Sequence, residues 1–397
     1  MNNIKKCLII KSPEFINPFL AYSLFWALSF LVYFLSPSKL VQNISIPLVV
    51  FCIITIFISL LFAIDFNNHF KNSKIYFKYS SPLLLTCGLL FVYILEFIYS
   101  KNIPLLSAFL SNNQSGYDNF GIPTLHVIIV TFSTLFCLKN YIDFLVFRKK
   151  INIFSIITIF VFFLMVFSRG VLLMLVLCFT CIYLCTKPIS LSKLLIFFVF
   201  GVFVMYLFGV LGNIRVSGKW NDSSAILNIS QIEADPNGIF TPFVWAEEYI
   251  CCSLRNLNYT IFNVNPSFSI REIIYAVIPD FISKRIVGNV EFATQRASFA
   301  YTTTTTFGDI YTCLGYFGMM IEFLFYIVIG LIITKICYIN NSYKIATFAI
   351  CFFIFALSIF SPSIQYSGYS FSLIWGVLCG IFSLKINKGE TVLIRKN

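Results

Sequence analysis

Ten apolar runs, at roughly 19–36, 44–64, 82–99, 123–142, 152–168, 170–186, 193–212, 307–334, 343–360 and 368–384, leave this chain few ways to fold. An apolar segment of about 20 residues is the length that carries an α-helix across the hydrocarbon of a bilayer. In that layer every backbone N–H and C=O must be satisfied internally, which helices achieve and open strands do not. The runs therefore predict an all-α polytopic integral membrane protein with about ten transmembrane helices. The uncharged stretch from 152 to 186 is too long for one crossing, and Arg169-Gly170 is the break expected to divide it. With 59% hydrophobic and 11% charged residues, a separate soluble domain is not expected, and one membrane domain should cover 1–397. The first run follows Lys5, Lys6 and Lys11 but lacks a small-residue cleavage site, so it reads as a retained span.

The exception to this pattern is 213–306, which holds 8 of the 16 carboxylates and 7 of the 28 Lys and Arg residues. Its first part is polar and ends at the turn signal Asp235-Pro236-Asn237-Gly238. Thr241 followed by Pro242 resembles an N-cap with proline at the first helical position. Val244, Trp245, Tyr249, Leu254, Leu257 and Ile261 then recur at helical spacing, which predicts an amphipathic helix lying at the membrane surface. Ser269 is placed to cap a second short helix over 270–278 that Pro279 stops. The Thr302–Thr306 run leads back to the apolar region, either as loop and cap chemistry or as a sugar-binding strip.

Charge sets the expected orientation. If the N-terminus is inside, the cytoplasmic segments carry eighteen Lys and Arg, and the opposite short loops carry three, Lys39, Lys101 and Arg169. Orientation follows Lys and Arg in short loops, so both termini are expected in the cytoplasm and the long loop outside. Seven bases nearly cancel eight acids in that loop, so the net charge of +12 is a topology signal and nucleic acid is not an expected partner. Most cysteines lie in apolar runs, where they behave as small hydrophobes. The spacing of Cys178, Cys181 and Cys185 lacks a nearby His or carboxylate, so no metal site is expected.

Ionisable residues at membrane depth are functional candidates because they are costly to keep there. Glu96, Arg169, Asp309 and Glu322 stand out as such residues, and His126 lies at the start of the fourth span. On a straight helix Asp309 and Glu322 would stand about 20 Å apart, too far to serve one reacting centre. Arg169, Arg215, Arg255, Arg271, Arg285 and Arg296 all fall on the predicted outer face. Arginine suits bidentate phosphate recognition, and several converging at the interface would hold a lipid diphosphate. Arg169 and Arg215 adjoin spans directly. For Glu96, pairing with Lys101 is the structural alternative, and for Glu322, a bond to a neighbouring helix.

Leu95 to Leu106 (LEFIYSKNIPLL) and Phe120 to Val127 (FGIPTLHV) resemble consecutive motifs of bacterial O-antigen and oligosaccharide repeat-unit polymerases of the Wzy type. Ser168-Arg169-Gly170 and Gly212-Asn213-Ile214-Arg215 match arginine positions expected in that family. Thr306 to Gly330, with its acidic residue, Tyr311 and paired glycines, is similar to the family's late span. The order of these pieces between about 95 and 330 is the strongest part of the likeness.

The resemblance implies a GT-C-like, metal-independent membrane glycosyltransferase of the bacterial inner membrane that uses no cofactor. Such enzymes move a growing glycan from undecaprenyl diphosphate onto a hydroxyl of the next lipid-linked unit at the periplasmic face, with a chain-length regulator and a flippase as partner proteins. On this reading Arg169, Arg215, Arg255, Arg296 and Tyr311 contact diphosphate or glycan. Asp309, Glu96, His126, Glu247 and Glu248 are the candidates for the base. Two rival readings are an O-antigen ligase, against which the lack of a His in the long loop counts, and a lipid-linked oligosaccharide flippase.

Overall fold

The computed structural model describes residues 5–9, 16–41, 43–70, 74–106, 120–166, 168–186, 191–217, 219–333 and 341–388. Helices α1 (Pro18–Leu35), α2 (Ile46–Phe70), α3 (Leu83–Ser100), α4 (Leu125–Phe147), α5 (Lys150–Met165), α6 (Arg169–Thr186) and α7 (Leu191–Ser217) follow one another through the first half. The long polar stretch holds α8 (Ser224–Ser230), α9 (Phe243–Asn263), α10 (Ile270–Val277) and α11 (Asp280–Val287). The chain ends in α12 (Gly308–Leu331), α13 (Ser342–Leu357) and α14 (Ser367–Lys388). A helix coincides with each apolar run. Five helices, α1 to α4 and α12, are long and apolar enough to cross a membrane, and the other five contribute shorter apolar segments of 10–17 residues.

Strands β1 (Lys5–Ile9) and β2 (Lys74–Lys78) are a small addition to the mostly helical fold. They form an antiparallel ribbon with Lys5 opposite Lys78 and Ile9 opposite Lys74. The β-branched and aromatic residues of Lys74 to Lys78 (KIYFK) suit a strand, but the segment is too short to signal one.

The helices bury aromatic and aliphatic side chains together with small and polar ones, and leave other large apolar groups exposed. On α3, Thr86, Leu89, Tyr93 and Glu96 face inward, while Leu84, Phe91, Ile94 and Ile98 are exposed. In lipid, where burying leucine gains little, close packing and hydrogen bonds between helices hold the bundle. Thr86 pairs with Ser155 of α5 at 2.7 Å, and Tyr93 Oη donates to Ser133 of α4 at 2.6 Å. The Tyr93 ring also stacks on Phe162 with centroids 3.6 Å apart. Across the bundle, Trp26 Nε1 donates to Ser358 Oγ at 3.0 Å and Ser59 Oγ to the Phe19 carbonyl at 2.8 Å. Asn17 caps α1 by accepting from Leu20 N at 2.7 Å, with Pro18 at the first helical position.

The long loop gathers the ends of several helices on one side. Ser36 and Ser38 after α1, Ser45 before α2, Thr124 before α4, Phe360 after α13 and Ser367 of α14 all bond to it. We call this side the loop end.

The expected amphipathic helix is α9, and much of it is covered by its neighbours. It packs against α1, α7 and α12 and buries Cys251, Leu254 and Leu257 together with Glu248, Asn256 and Arg255. Its polar side is buried because it carries its own hydrogen-bond partners inward. Thr241 does not cap it: its hydroxyl donates to the Asp235 carbonyl at 2.8 Å, and Pro242 is the cap residue. The second helix forms as its sequence predicts, with Ser269 Oγ accepting from Glu272 N at 3.4 Å.

Candidate functional site

Ser253, Asn256 and Thr260 lie three and four residues apart and so share one face of α9. Asn256 Oδ1 accepts from Ala297 N at 2.8 Å, and its Nδ2 donates to the carbonyls of Thr303 at 2.6 Å and Tyr301 at 3.3 Å. Thr260 Oγ1 accepts from Gln295 N at 3.0 Å and donates to Gln295 O at 3.1 Å. Ser253 Oγ meets Thr303 Oγ1 at 2.9 Å and the Phe360 carbonyl at 2.9 Å. The helix thus fixes two extended segments that carry no regular structure of their own. Between them and the turn after α13 lies a cavity of about 150 Å³.

Thr302, Thr303 and Thr304 line this cavity, with Gln295 and Arg296 beside them and Ser361, Pro362 and Tyr366 opposite. Asp309 also lines it. The threonine run divides its work. Thr305 Oγ1 accepts from Phe307 N at 3.2 Å and Thr306 Oγ1 donates to Tyr326 Oη at 3.0 Å, so these two organise the start of α12. Thr304 Oγ1 is buried without a hydrogen-bond partner among the described residues.

Asp309 stands in the first turn of α12, and this helix is broken further along. Gly315 has φ 61° and ψ −147° inside the helix, a region essentially reserved for glycine. The Thr312 carbonyl accepts from Ser267 N at 2.9 Å. Asp309 and Glu322 therefore do not lie on one straight helix. Glu322 is buried in the bundle, with neither carboxylate oxygen hydrogen-bonded among the described residues. Tyr311 anchors the break instead of lining the cavity: it is buried, and its hydroxyl reaches the Ile261 carbonyl at 3.4 Å.

The arginines separate by their commitments. Arg255 is fully buried and donates from Nη1 to both Glu248 oxygens at 2.6 Å, from Nη2 to Glu247 Oε1 at 2.9 Å, and to Ser36 Oγ at 2.6 Å. Tyr301 completes this network through its own hydrogen bond to Glu248. Burial pushes the Glu248 carboxyl up, with Arg255 opposing it, and also raises the Tyr301 hydroxyl. Arg255, expected from the sequence to meet substrate, is thus held within a buried ion-pair network. Arg271 donates to the carbonyls of Val287 at 2.8 Å and Asn289 at 2.9 Å. Arg285 stacks on the Phe281 ring and donates to Thr124 Oγ1 at 2.7 Å. Arg296 is exposed at the cavity rim and makes no hydrogen bond or ion pair among the described residues.

The side chains of Arg169 and Arg215 lie outside the described part of the structure, but their motifs are placed. A Cβ on Gly170 would stand 2.9 Å from Tyr369 Oη, which puts the start of α6 beside the start of α14. Within the other motif, Asn213 Oδ1 accepts from Trp245 Nε1 at 2.9 Å and its Nδ2 donates to Ser223 Oγ at 2.8 Å. The Gly212-Asn213 pair thus latches α7 to α8 and α9.

Glu96 and His126 come together. Glu96 is fully buried, and His126 Nδ1 lies 3.0 Å from its Oε1 and 3.1 Å from its Oε2. His126, and not Lys101, is therefore the partner of Glu96. Among the described residues no group of three or more His, Cys, Asp or Glu is arranged to hold a metal ion.

The 361–369 turn is the part of the site that sequence reading missed. It supplies Ser361, Pro362 and Tyr366 to the cavity and is pinned from α11. Asp280 Oδ1 accepts from Ser367 N at 2.9 Å, and Phe281 N donates to Ser367 Oγ at 2.8 Å. Burial pushes the Asp280 carboxyl up, but the Ser367 and Lys284 hydrogen bonds outweigh it and hold it below its usual value. The signal available was compositional: Ser358 to Ser370 has three serines between its ends, a Gln and two tyrosines, with no charge, where two apolar runs meet.

The chain matches no family model, no curated protein and no solved structure.

Proposed function

We propose that this protein polymerises undecaprenyl-diphosphate-linked oligosaccharide repeat units into an O-antigen or capsule-type polysaccharide. The reading places ten spans in the bacterial inner membrane, both termini in the cytoplasm and the loop end at the periplasmic face. It takes the architecture to be GT-C-like, and the transfer to need neither metal nor cofactor. The resemblance of the motifs from Leu95 to Gly330 supports it, as does the charge asymmetry of the short loops.

The observation that carries the proposal is that Arg296 and Asp309 both line one small polar cavity at the loop end. An arginine with no internal partner, above a wall of threonine hydroxyls, suits a diphosphate that must be held and then released. In the transfer, the bond between the donor's anomeric carbon and the diphosphate oxygen breaks, and its electron pair leaves with the diphosphate. A hydroxyl oxygen of the acceptor unit bonds to that carbon and gives its proton to a base. Arg296 would stabilise the charge growing on the leaving group. Asp309 would face the positive charge that develops on the sugar ring as the bond breaks. Two lipid-linked substrates enter from the membrane, which accounts for a site at the helix ends and covered by α9 and the segments it holds.

Deleting the gene and resolving the surface glycan on a gel tests the reading. Polymerase loss leaves lipid core bearing a single repeat. Bare core would instead indicate a ligase or a flippase.

A further inference from the structure

Resting on the polymerase reading, the cavity must take up one part of the lipid-linked substrate, and its lining points to which part. Its two sides differ in chemistry. Pro362 and Tyr366 bring apolar ring surface from the turn after α13. Thr294, Gln295, Arg296, Thr302 and Thr303 bring hydroxyl, amide and guanidinium groups from the two segments that α9 holds. A sugar ring has the matching character, since its C–H bonds form an apolar face and its hydroxyls a polar rim.

The polar groups divide into those already used and those available. Asn256 bonds the backbones of Ala297, Tyr301 and Thr303. Thr303 Oγ1 meets Ser253 Oγ at 2.9 Å, and Ser361 Oγ meets Ser363 Oγ at 3.3 Å. By contrast, the side chains of Thr294, Gln295, Thr302 and Asp309, like that of Arg296, make no hydrogen bond among the described residues. Unpaired polar side chains gathered around one cavity suit a ligand that carries several hydroxyls.

Tyr366 is held as a platform. Its two chain neighbours are both bound to Asp280 at the start of α11. Gln365 O accepts from Asp280 N at 2.8 Å, and Asp280 Oδ1 accepts from Ser367 N at 2.9 Å. Tyr366 O accepts from Tyr369 N at 2.9 Å and from Ser370 N at 3.1 Å. The Tyr369 ring braces the Tyr366 ring at 90°, with centroids 6.1 Å apart. Tyr366 nevertheless stays 46% exposed beside a polar cavity. An aromatic ring fixed in this way loses little conformational freedom when a ligand covers it.

Size and charge narrow the occupant. The cavity measures about 150 Å³, and a protein cavity of about 150 Å³ accommodates one six-membered ring such as benzene. There is room for one sugar ring and not for two. Arg296, matched to the diphosphate, and Asp309, matched to charge developing on the reacting ring, line the same space. The ring that shares it with both is the one joined to the diphosphate. Among the described residues Arg296 is the only cationic one lining the cavity. A sugar carboxylate would therefore find no cation of its own and would face Asp309, a like charge.

We infer that this cavity is a subsite for a single neutral pyranose, the sugar joined to the donor's diphosphate. The ring stacks on Tyr366, and Gln295 and Thr302 hydrogen-bond its hydroxyl or acetamido groups. The acceptor's sugar stays outside, and only its reacting hydroxyl reaches in. Tyr366, Gln295 and Thr302 set which sugar is bound and take no part in breaking the bond.

The test is titration calorimetry on the full chain purified in detergent. The probes are farnesyl diphosphate and its conjugates with N-acetylglucosamine, N-acetylgalactosamine and glucuronic acid. The better of the two neutral conjugates should bind about tenfold tighter than farnesyl diphosphate, and the glucuronic acid conjugate should lose that gain. Tyr366→Phe should keep the gain and Tyr366→Leu should remove it. Thr302→Val and Gln295→Leu should each weaken the neutral conjugate by about 3- to 10-fold and leave farnesyl diphosphate unchanged. Neither of these two side chains bonds the fold, so both variants decide the matter if Tyr366→Leu does not accumulate. In chain extension by membranes, Tyr366→Leu should raise KM about tenfold with kcat nearly unchanged. Equal binding of all four probes, or a gain that survives Thr302→Val and Gln295→Leu, would overturn the inference. So would a glucuronic acid conjugate bound as tightly as the neutral ones, or a Tyr366→Leu protein that loses kcat alone. Failure of the polymerase reading looks different: sugar-dependent binding without chain extension would sink that reading and leave the subsite standing.

Discussion

Replacing Gly315 by alanine tests whether the break in α12 places Asp309 in the cavity. At φ 61° and ψ −147°, an L side chain costs about 1–3 kcal/mol over glycine. The new Cβ would also stand 3.2 Å from Pro266 Cγ, so the Pro266 ring has to give by a few tenths of an ångström. Taking about 2 kcal/mol for the sum shifts the balance between broken and straightened helix by roughly thirtyfold, at about 1.4 kcal/mol per factor of ten. Straightening would turn Asp309 away from Thr304 and Tyr366 and would release the Ser267 N to Thr312 O bond. The expected outcome is a protein that accumulates in membranes, melts several degrees lower in detergent and yields mostly single-repeat glycan. Gly88→Ala is the matched control, because nothing lies within 4 Å of its added methyl. A Gly315→Ala protein with the wild-type melting temperature and a normal ladder would refute the reasoning.

Other outcomes follow from the same contacts. Arg255→Ala strands Glu248 and Glu247 in a buried site and should destabilise the protein by about 3–5 kcal/mol, read as a loss of thermal stability in detergent. Gly121→Ala puts a Cβ 2.6 Å from the His126 ring at a backbone φ of 94°, and should lower the melting temperature in detergent relative to Gly88→Ala. For Asp280, the folded carboxyl sits below its unfolded value, so its stabilisation is present above about pH 4 and is lost as pH falls through the folded value. Hydrogen exchange should show the 361–369 turn opening as pH drops below that range, and in Asp280→Asn it should be open at neutral pH too.

The helices were legible because lipid imposes a single rule on every span, and each apolar run coincides with a helix. The second loop helix was legible for a local reason, since Ser269 caps its start and Pro279 stops it. The burial of α9 was not, because its polar face is matched by backbone around Gln295 and Thr303, some 35 to 50 residues away. The break at Gly315 was hidden for a different reason: glycine is common in spans, and only the fold reveals which one leaves the helical region. Glu96 and His126 were each recognisable as costly residues, but a contact across 30 residues is not written in either neighbourhood. The arginines could be listed from sequence; which of them is free depends on where Glu247 and Glu248 point.

The most direct measurement of the central claim is chain extension by purified protein in proteoliposomes, supplied with extracted lipid-linked repeat units and resolved on a gel. The account predicts a ladder of multiple repeats from the wild-type protein and little beyond the single unit from Arg296→Ala or Asp309→Asn. Movement of the lipid-linked unit across the bilayer without extension, or an undiminished ladder from both variants, would contradict it.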